Sequence, residues 1–600
     1  MTAVRARQAA RALVCRMETA FASLAAIILA VMLAAVTIGV VLRYGFQTGV
    51  VGMEDLGIWL NIALISAGLP LTFTGTLSMR LDLLTGRLKG WQVRTSALAA
   101  DMVSLLAGLV LFIGGIRAAG MVGGVSQTLG LPEWVRFALP ALGGAGLVIV
   151  LIVARFSEGR LPDALLSLAL ACGLYWAAGR FAVDTGFPPS LPLALVIAFG
   201  LITGAPLAHA FLAASCIAIP FGAVQTEQAI IANAVAGMSR FLLLAIPFFL
   251  LAGACLALSG AATKLVRFAA ALVGHLRGGL AQTTLLTSVL FSGASGSSVA
   301  NAAFAASTFH PELVKNGYPP ARAGAIVAAS SLLDNIIPPS IAFLILATAA
   351  DLSVGALLMG GLFAGLVIAA FLATAIWWVC GKESRGIAAT GAERRSAGLA
   401  ALPAFGLGLI VVFGIRFGIV TATEAAAMAA LYALFLTFLA RRPLGASIKA
   451  FRQSASEAAA IGLLIGAAAP IAFTLAIDDI AGLLSQATRM LGGSAIAVLL
   501  IANLILLAAG LVLDIGAAIL LLGPILLPVA VAAGIDPTRF GVILVVNLMI
   551  GGLTPPVGML VFVVSGVTGV SASSLFWAMR PFLIALLAAL GLLCLFAILL

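Results

Sequence analysis

Two proline pairs, Pro338-Pro339 and Pro555-Pro556, lie in apolar stretches of the chain where polar partners are scarce. Proline has no N–H, so within a helix the carbonyl four residues back loses its donor. For the first pair those carbonyls belong to Asp334 and Asn335, and for the second to Gly551 and Gly552. A bare carbonyl at membrane depth is costly unless something coordinates it, and a hard cation such as Na⁺ does so well. The pairs therefore predict two cation sites, against the simpler reading of two kinks satisfied by neighbouring helices. Upstream of the first pair runs Ser292-Gly293-Ala294-Ser295-Gly296-Ser297-Ser298, followed by Asn301. Glycines let the backbone fold back, and hydroxyl and N–H groups there can meet a cation or a carboxylate. Small-residue helix packing is the competing reading. Asp514 stands in the apolar run Leu511-Val-Leu-Asp514-Ile-Gly. An ionisable residue in such a run is a functional candidate: an ion ligand, a proton carrier or half of a buried ion pair, with Arg539 the candidate partner.

Other polar residues have ordinary explanations. Thr421-x-x-Glu424 and Ser454-x-x-Glu457 fit capping boxes that open helices. His209, His275 and His310 have no companions at metal-ligand spacing, and the six cysteines are scattered without a CxxC. Asp478-Asp479 follows an apolar run and is expected in a loop; Arg80 to Arg94 is expected as a basic interfacial segment. No phosphate-binding G-x-x-x-x-G-K-[ST] loop occurs, so no ATPase is recognisable. Nothing resembles a nucleophile–base or zinc constellation, so an enzyme is not expected, nor any cofactor beyond a coupling ion.

The elements that must position these groups are duplicated. At a constant offset of 217 residues, Pro311 pairs with Pro528, Val314 with Val531, Gly317 with Gly534 and Pro320 with Pro537. The register continues through Arg322/Arg539, Gly324/Gly541 and Ile326/Ile543 to the two proline pairs, nine identities in twenty-nine positions. Carried across the same offset, Ser297 lands on Asp514. The repeat cores, about 285–345 and 505–570, are apolar yet dense in Gly, Ser, Asn and Pro, which predicts broken helices and re-entrant hairpins. Interrupted helices in corresponding positions of two halves point to a secondary transporter's binding site.

The whole chain supports a membrane setting. Of its 600 residues 63% are hydrophobic and 9% charged, against roughly a quarter charged in soluble domains. A soluble enzyme, a nucleic-acid binder and a disordered scaffold are excluded. Plain spans of roughly twenty residues are expected near 21–42, 56–76, 97–116, 137–154 and 161–183, then 191–219, 241–259, 354–379, 399–416, 424–440, 458–476, 494–513 and 577–599. The net charge of +11 comes from bases clustered between spans. Arg5, Arg7, Arg11 and Arg16, then Arg80, Arg87, Lys89 and Arg94, then Arg155 and Arg160 alternate with poorly basic loops, which predicts a cytoplasmic N-terminus and span five ending outside. The first apolar run exceeds twenty residues and is read as a retained helix, not a cleaved signal.

Several of these motifs resemble the large membrane subunit of tripartite ATP-independent periplasmic (TRAP) transporters. They are Ser239 to Gly253 with Pro247 at its centre, Val273-Gly-His-Leu-Arg-Gly-Gly279, Ser295-Gly-Ser-Ser298, Ile336-Ile-Pro-Pro-Ser340 and Thr423-Glu-Ala-Ala-Ala427. The longest match runs from Leu513-Asp514 through Pro524-Ile-Leu-Leu-Pro528 and Asn547 to Leu553-Thr-Pro-Pro-Val-Gly558. Residues 1–160 resemble the small four-helix subunit through Met53-Glu-Asp55 and Met79-Arg-Leu-Asp82. The resemblance implies a natural fusion: a small-subunit-like domain at 1–160, a connecting helix in 161–189 that restores topological parity, and a transport and scaffold domain at 190–600. It departs from the family pattern at Asn301, where an acid is expected, and at Asp334-Asn335, which replaces a usual Gly-Pro.

What the resemblance implies is an all-α, inverted-repeat, elevator-type permease with two re-entrant hairpins in a bacterial inner membrane. It would import an organic acid anion, carboxylate or sulfonate, with Na⁺, after delivery by a separate periplasmic substrate-binding protein. Candidate Na⁺ ligands are Ser292, Gly293, Ser295, Ser298, Asp334, Asn335, Pro338, Asp514, Gly551, Gly552, Thr554 and Pro555. Candidate substrate contacts are Ser295, Ser297, Asn301, Ser340, Asp514 and Asn547. The alternative is a Na⁺- or H⁺-coupled di- or tricarboxylate symporter that needs no binding protein.

Overall fold

The computed structural model describes residues 2–74, 88–183, 186–292, 298–380, 388–490 and 494–599. Among them the chain is helical, with one isolated bridge between Val125 and Pro132. Twelve helices among the described residues are long and apolar enough to cross a membrane. Large apolar side chains stand exposed on several of them, such as Ile27, Leu142, Leu409 and Ile584. Lipid rather than water is the solvent such a surface suits.

The N-terminal helices are α1 (Thr2–Gly45), α2 (Met53–Gly68), α3 (Trp91–Met121) and α4 (Val135–Ser157). A π turn at Val110–Gly114 interrupts α3. Next come α5 (Leu161–Ala178), α6 (Ser190–Thr203), α7 (Leu207–Ala218), α8 (Glu227–Met238) and α9 (Ala245–Leu258). The span expected at 191–219 is therefore two short helices. Gly204 takes a left-handed φ of 76° and Pro206 cannot continue a helix, so the chain folds back, and Gly200 lets α6 meet Ala210 of α7.

The repeats then appear as matched helices. The first set is α10 (Ala261–Val273), α11 (Gly279–Phe291), α12 (Ser298–Lys315), α13 (Pro320–Ser331), α14 (Ile341–Ala350) and α15 (Val354–Val379). Between the sets lie α16 (Gly391–Arg416), α17 (Ala422–Leu439) and α18 (Leu444–Ile477). The second set is α19 (Ile480–Met490), α20 (Ala495–Val512), α21 (Ile515–Ala532), α22 (Pro537–Gly551), α23 (Met559–Thr568) and α24 (Ala572–Leu599). Shifted by 217 residues, α12 coincides with α21 at both ends, and the other five pairs agree to within a few residues.

Thr421 and Glu424 form the expected capping box on α17, and Thr390 with Glu393 forms another on α16. Ser454 and Glu457 do not: both lie inside the 34-residue α18, where Glu457 accepts from Gln453 at 2.9 Å. The apolar run that follows needed no new start, because the helix had already begun at Leu444. Asp478 and Asp479 fall between α18 and α19, and the Asp478 carboxylate accepts the Ser190 N–H at 2.7 Å, capping α6.

The chain divides into two compact units, Met1–Pro247 with Ile448–Ala481, and Phe248–Ser447 with Gly482–Leu600. The first unit joins the N-terminal helices to later parts of the chain. Asn61 donates to the Met238 carbonyl at 3.1 Å; buried His209 meets Thr72 at 2.9 Å and Ser104 at 3.2 Å. Gly57 and Gly68 lie so close to Leu244 and Ala459 that a Cβ would overlap their side chains. Ion pairs join these helices: Arg155 with Asp101 at 2.6 Å and Arg94 with Asp163 at 2.5 Å. Arg94 is thus anchored to α5, while Arg80 and Arg87 of the expected interfacial segment lie outside the described residues. Glu227 binds Arg117 at 2.6 Å and accepts from Tyr175; burial pushes its carboxyl above the usual range, against the pull of Arg117.

Candidate functional site

All described candidate residues belong to the second unit, at two helix breaks and at the helices that face them. In the first repeat, α13 gives way to a 3₁₀ turn at Leu332–Asn335, the Pro338-Pro339 peptide is cis, and α14 starts afresh. Ser340 restarts it, accepting the Phe343 N–H at 3.3 Å and donating to the Asn335 carbonyl. Hairpin residues close on this break. Ser292, at the end of α11, donates to the Ile337 carbonyl at 2.9 Å. Asn301, in the first turn of α12, donates its amide N–H to the Asp334 carboxylate. Asn335 reaches Met549 of α22 at 3.6 Å, so the first break touches the helix that leads into the second.

The second break is built similarly but with different side chains. Past α22, Thr554 donates its N–H to the Gly551 carbonyl at 3.0 Å and its hydroxyl to the Ile550 carbonyl at 2.8 Å. The Pro555-Pro556 peptide is cis, and the Leu560 N–H returns to the Gly552 carbonyl at 3.1 Å. Opposite, α20 stops at Val512 and Asp514 caps α21, accepting the Gly516 N–H at 3.0 Å. Gly510 and Gly551 bring α20 and α22 into backbone contact: a Cβ on Gly510 would lie 2.7 Å from the Leu548 carbonyl oxygen.

Two expectations need correction. The carbonyls of Asn335, Gly551 and Gly552 are not bare: Ser340, the cap residue after the first proline pair, donates to Asn335, Thr554, just before the second pair, donates to Gly551, and Leu560 of the helix that follows donates to Gly552. Arg539 is not the partner of Asp514. Asp514 forms no ion pair among the described residues; the Arg539 backbone N–H donates to the Asp536 carboxylate at 2.9 Å, where Asp536 caps α22.

The structure thus joins Ser292, Asn301, Asp334, Asn335 and Ser340 around Pro338 through direct hydrogen bonds to the break. Gly551, Gly552, Thr554 and Pro555 form the second break. Gly293, Ser295 and Ser297 lie outside the described residues, and Ser298 is the first residue of α12. Asn547 is fully buried and donates to Asn503 of α20, a residue the sequence reading passed over; a lone amide in the apolar run 495–512 was the available signal. Two buried oxygens at the site, Asp334 Oδ1 and Asn547 Oδ1, have no donor among the described residues. An acidic and amide lining with spare acceptors suits a cation better than an apolar ligand.

A multi-pass helical protein with duplicated interrupted helices and polar groups at the interruptions has the organisation of a transporter permease. Residues 193–599 match the family described as the DctM component of tripartite ATP-independent periplasmic transporters, and residues 32–160 match the DctQ component of the same transporters. The chain belongs to the tripartite ATP-independent periplasmic transporter family, with both membrane components in one polypeptide, and is a multi-pass inner-membrane protein.

Over 568 residues it is 31% identical to the isethionate TRAP transporter permease protein DctMQ of Oleidesulfovibrio alaskensis, covering 92% of this chain and 88% of that protein. It is 38% identical to the C4-dicarboxylate TRAP transporter large permease protein DctM of Pseudomonas aeruginosa, covering 58% of this chain and 82% of that protein. It is 34% identical to the sialic acid TRAP transporter large permease protein SiaM of Vibrio cholerae, over 60% and 85% respectively.

Proposed function

We propose that this chain is a Na⁺-coupled importer of an organic acid anion, carboxylate or sulfonate, which it receives from a separate periplasmic substrate-binding protein. The observation that carries the reading is the pair of matched helix breaks. Each has a carboxylate with no cationic partner among the described residues: Asp334 within the first break, and Asp514 capping α21 one turn beyond the Gly510–Gly551 contact at the second. Asp334 is buried and Asp514 half-buried; a carboxylate so withdrawn from water without a counter-charge is costly, and a bound hard cation offsets that cost. Membership of a family named for independence from ATP agrees with the lack of a phosphate-binding loop. The relatives named for C4-dicarboxylates, isethionate and sialic acid suggest the substrate class, all of them organic acids.

In this reading the two hairpins travel together as an elevator, the N-terminus lies in the cytoplasm, and the fused N-terminal helices enlarge the static part. The Arg-rich start supports the orientation. The test is uptake into proteoliposomes holding the full chain, with a binding protein and a panel of carboxylates and sulfonates supplied outside. Uptake should collapse when external Na⁺ is replaced by K⁺ or choline. Equal uptake in all three salts would refute the coupling, and uptake without the binding protein would refute the delivery route.

A further inference from the structure

The first unit carries an arginine deep within its membrane-spanning helices. α8 stops at Met238, Arg240 is extended at φ −72° and ψ 123°, a 3₁₀ turn covers Phe241–Leu244, and α9 follows. Neighbouring helices give the depth of this interruption. α8 begins at Glu227, which binds Arg117 near the end of α3, while Arg94 near the start of α3 binds Asp163. These two arginines stand about 35 Å apart along α3, enough to cross a hydrocarbon core of roughly 30 Å, so Glu227 marks one membrane face. Asp55, near the start of α2, lies at that face too, accepting from Thr128 in the loop after α3. Asn61, which donates to the Met238 carbonyl, is about 12 Å into α2, and Met238 is about 17 Å along α8. The interruption therefore falls in the middle third of the membrane.

It is built rather than frayed. The Ser239 hydroxyl donates to the Val235 carbonyl at 2.6 Å and the Leu243 N–H to the Arg240 carbonyl at 3.0 Å. Asn61 of α2 and Gly466 of α18 both grip the end of α8, at Met238 and Gly237. The Arg240 side chain takes no part in capping the turn and is exposed on its unit. A guanidinium at this depth is costly in lipid and is expected to face water or an anion. It stays charged throughout the physiological range, and its planar N–H fork matches two oxygens of a carboxylate or sulfonate. The polar side chains described at the helix breaks of the second unit are, by contrast, acids, amides and hydroxyls, with no lysine or arginine among them.

We infer that Arg240 binds the acid group of the transported molecule through paired N–H···O bonds and thereby selects anions over neutral analogues. This rests on the proposed import of an organic acid and is independent of Na⁺ coupling. The test is calorimetric binding of succinate, isethionate and N-acetylneuraminate to the purified full chain in lipid nanodiscs at constant NaCl, with succinamide as the neutral control. At least one of the three anions should bind, and succinamide should not. Arg240→Gln should weaken that binding at least tenfold. Arg240→Lys keeps the charge but loses the fork, so it should weaken binding by less. Equal affinity in Arg240→Gln and the unaltered chain overturns the inference while leaving the organic-acid reading intact. Binding of none of the three by the unaltered chain would bring down that reading and the inference with it.

A second measurement uses the unaltered protein and so does not depend on any variant folding. Phenylglyoxal, which adds to accessible guanidinium groups, should modify Arg240 in the absence of the anion that binds, and that anion should suppress the modification. Peptide mass spectrometry locates the adduct. Modification of Arg240 that the anion leaves unchanged overturns the inference. So does an Arg240 that stays unmodified without the anion, which would make it half of an ion pair within the protein.

Discussion

Asp514 and Thr554 show how little of a side chain's role lies in its own chemistry. Asp514 is a helix cap first: its carboxylate satisfies a backbone donor at the start of α21. Asparagine caps about as well as aspartate, so Asp514→Asn should insert and fold normally. Uptake should nevertheless fall by an order of magnitude or more, because the charge is gone. Normal uptake would make the carboxylate a cap and nothing else. Thr554 spends its hydroxyl proton on the Ile550 carbonyl, which leaves the oxygen's lone pairs available. Thr554→Ala should raise the Na⁺ concentration for half-maximal uptake at unchanged abundance. In the N-terminal helices the contrast is Asp101, an acid that is fully buried and neutralised by Arg155. Removing one partner of a buried pair costs about 3–5 kcal/mol. Arg155→Met should therefore lower the melting temperature sharply, and adding Asp101→Leu should recover most of the loss.

Among the elements, the crossing of α20 and α22 controls the second break. Their backbones meet at Gly510 and Gly551, where even one methyl group would strike main chain rather than a movable side chain. Gly510→Val should force the helices apart, displace Gly551 and Gly552, and abolish Na⁺-induced thermal stabilisation of the purified protein. Gly510→Ala should do the same to a smaller degree. A valine variant stabilised by Na⁺ as well as the unaltered chain would mean the crossing does not shape the site. Element boundaries themselves were largely legible. Pro320 and Pro537 open α13 and α22, and the proline pairs end the segments that follow, because proline's missing donor acts locally. The fold-back at Gly204–Pro206 carried the same kind of signal, but the continuous apolar run around it hid the turn.

For the molecule as a whole, the fused N-terminal helices are held to the rest of the first unit by contacts independent of the linker. Asn61 to Met238, His209 to Thr72 and Ser104, and the close approaches at Gly57 and Gly68 all cross from residues before 160 to residues after 200. A protease site inserted between the exposed Phe187 and Pro188 should therefore be cleavable without separating the pieces. The two fragments should co-purify in mild detergent and elute together on size exclusion. Dissociation on cleavage would show that the covalent link, not the packing, holds them.

Composition, most of the spans, the 217-residue repeat and the positions of the breaks were determined by the sequence alone. Each follows from apolar content, from proline's missing N–H or from a register that needs no knowledge of distant neighbours. Partnership was decided only in the tertiary structure. That Asn301 meets Asp334, that Asn503 meets Asn547 and that Asp514 is spared Arg539 depends on which helices pack together. Ser454 and Glu457 make the same point within one helix: a capping box needs a helix start, and the start was set ten residues earlier. A hydrogen bond acts over about 3 Å, while these partners stand tens of residues apart along the chain, so only the packed fold could bring them within reach.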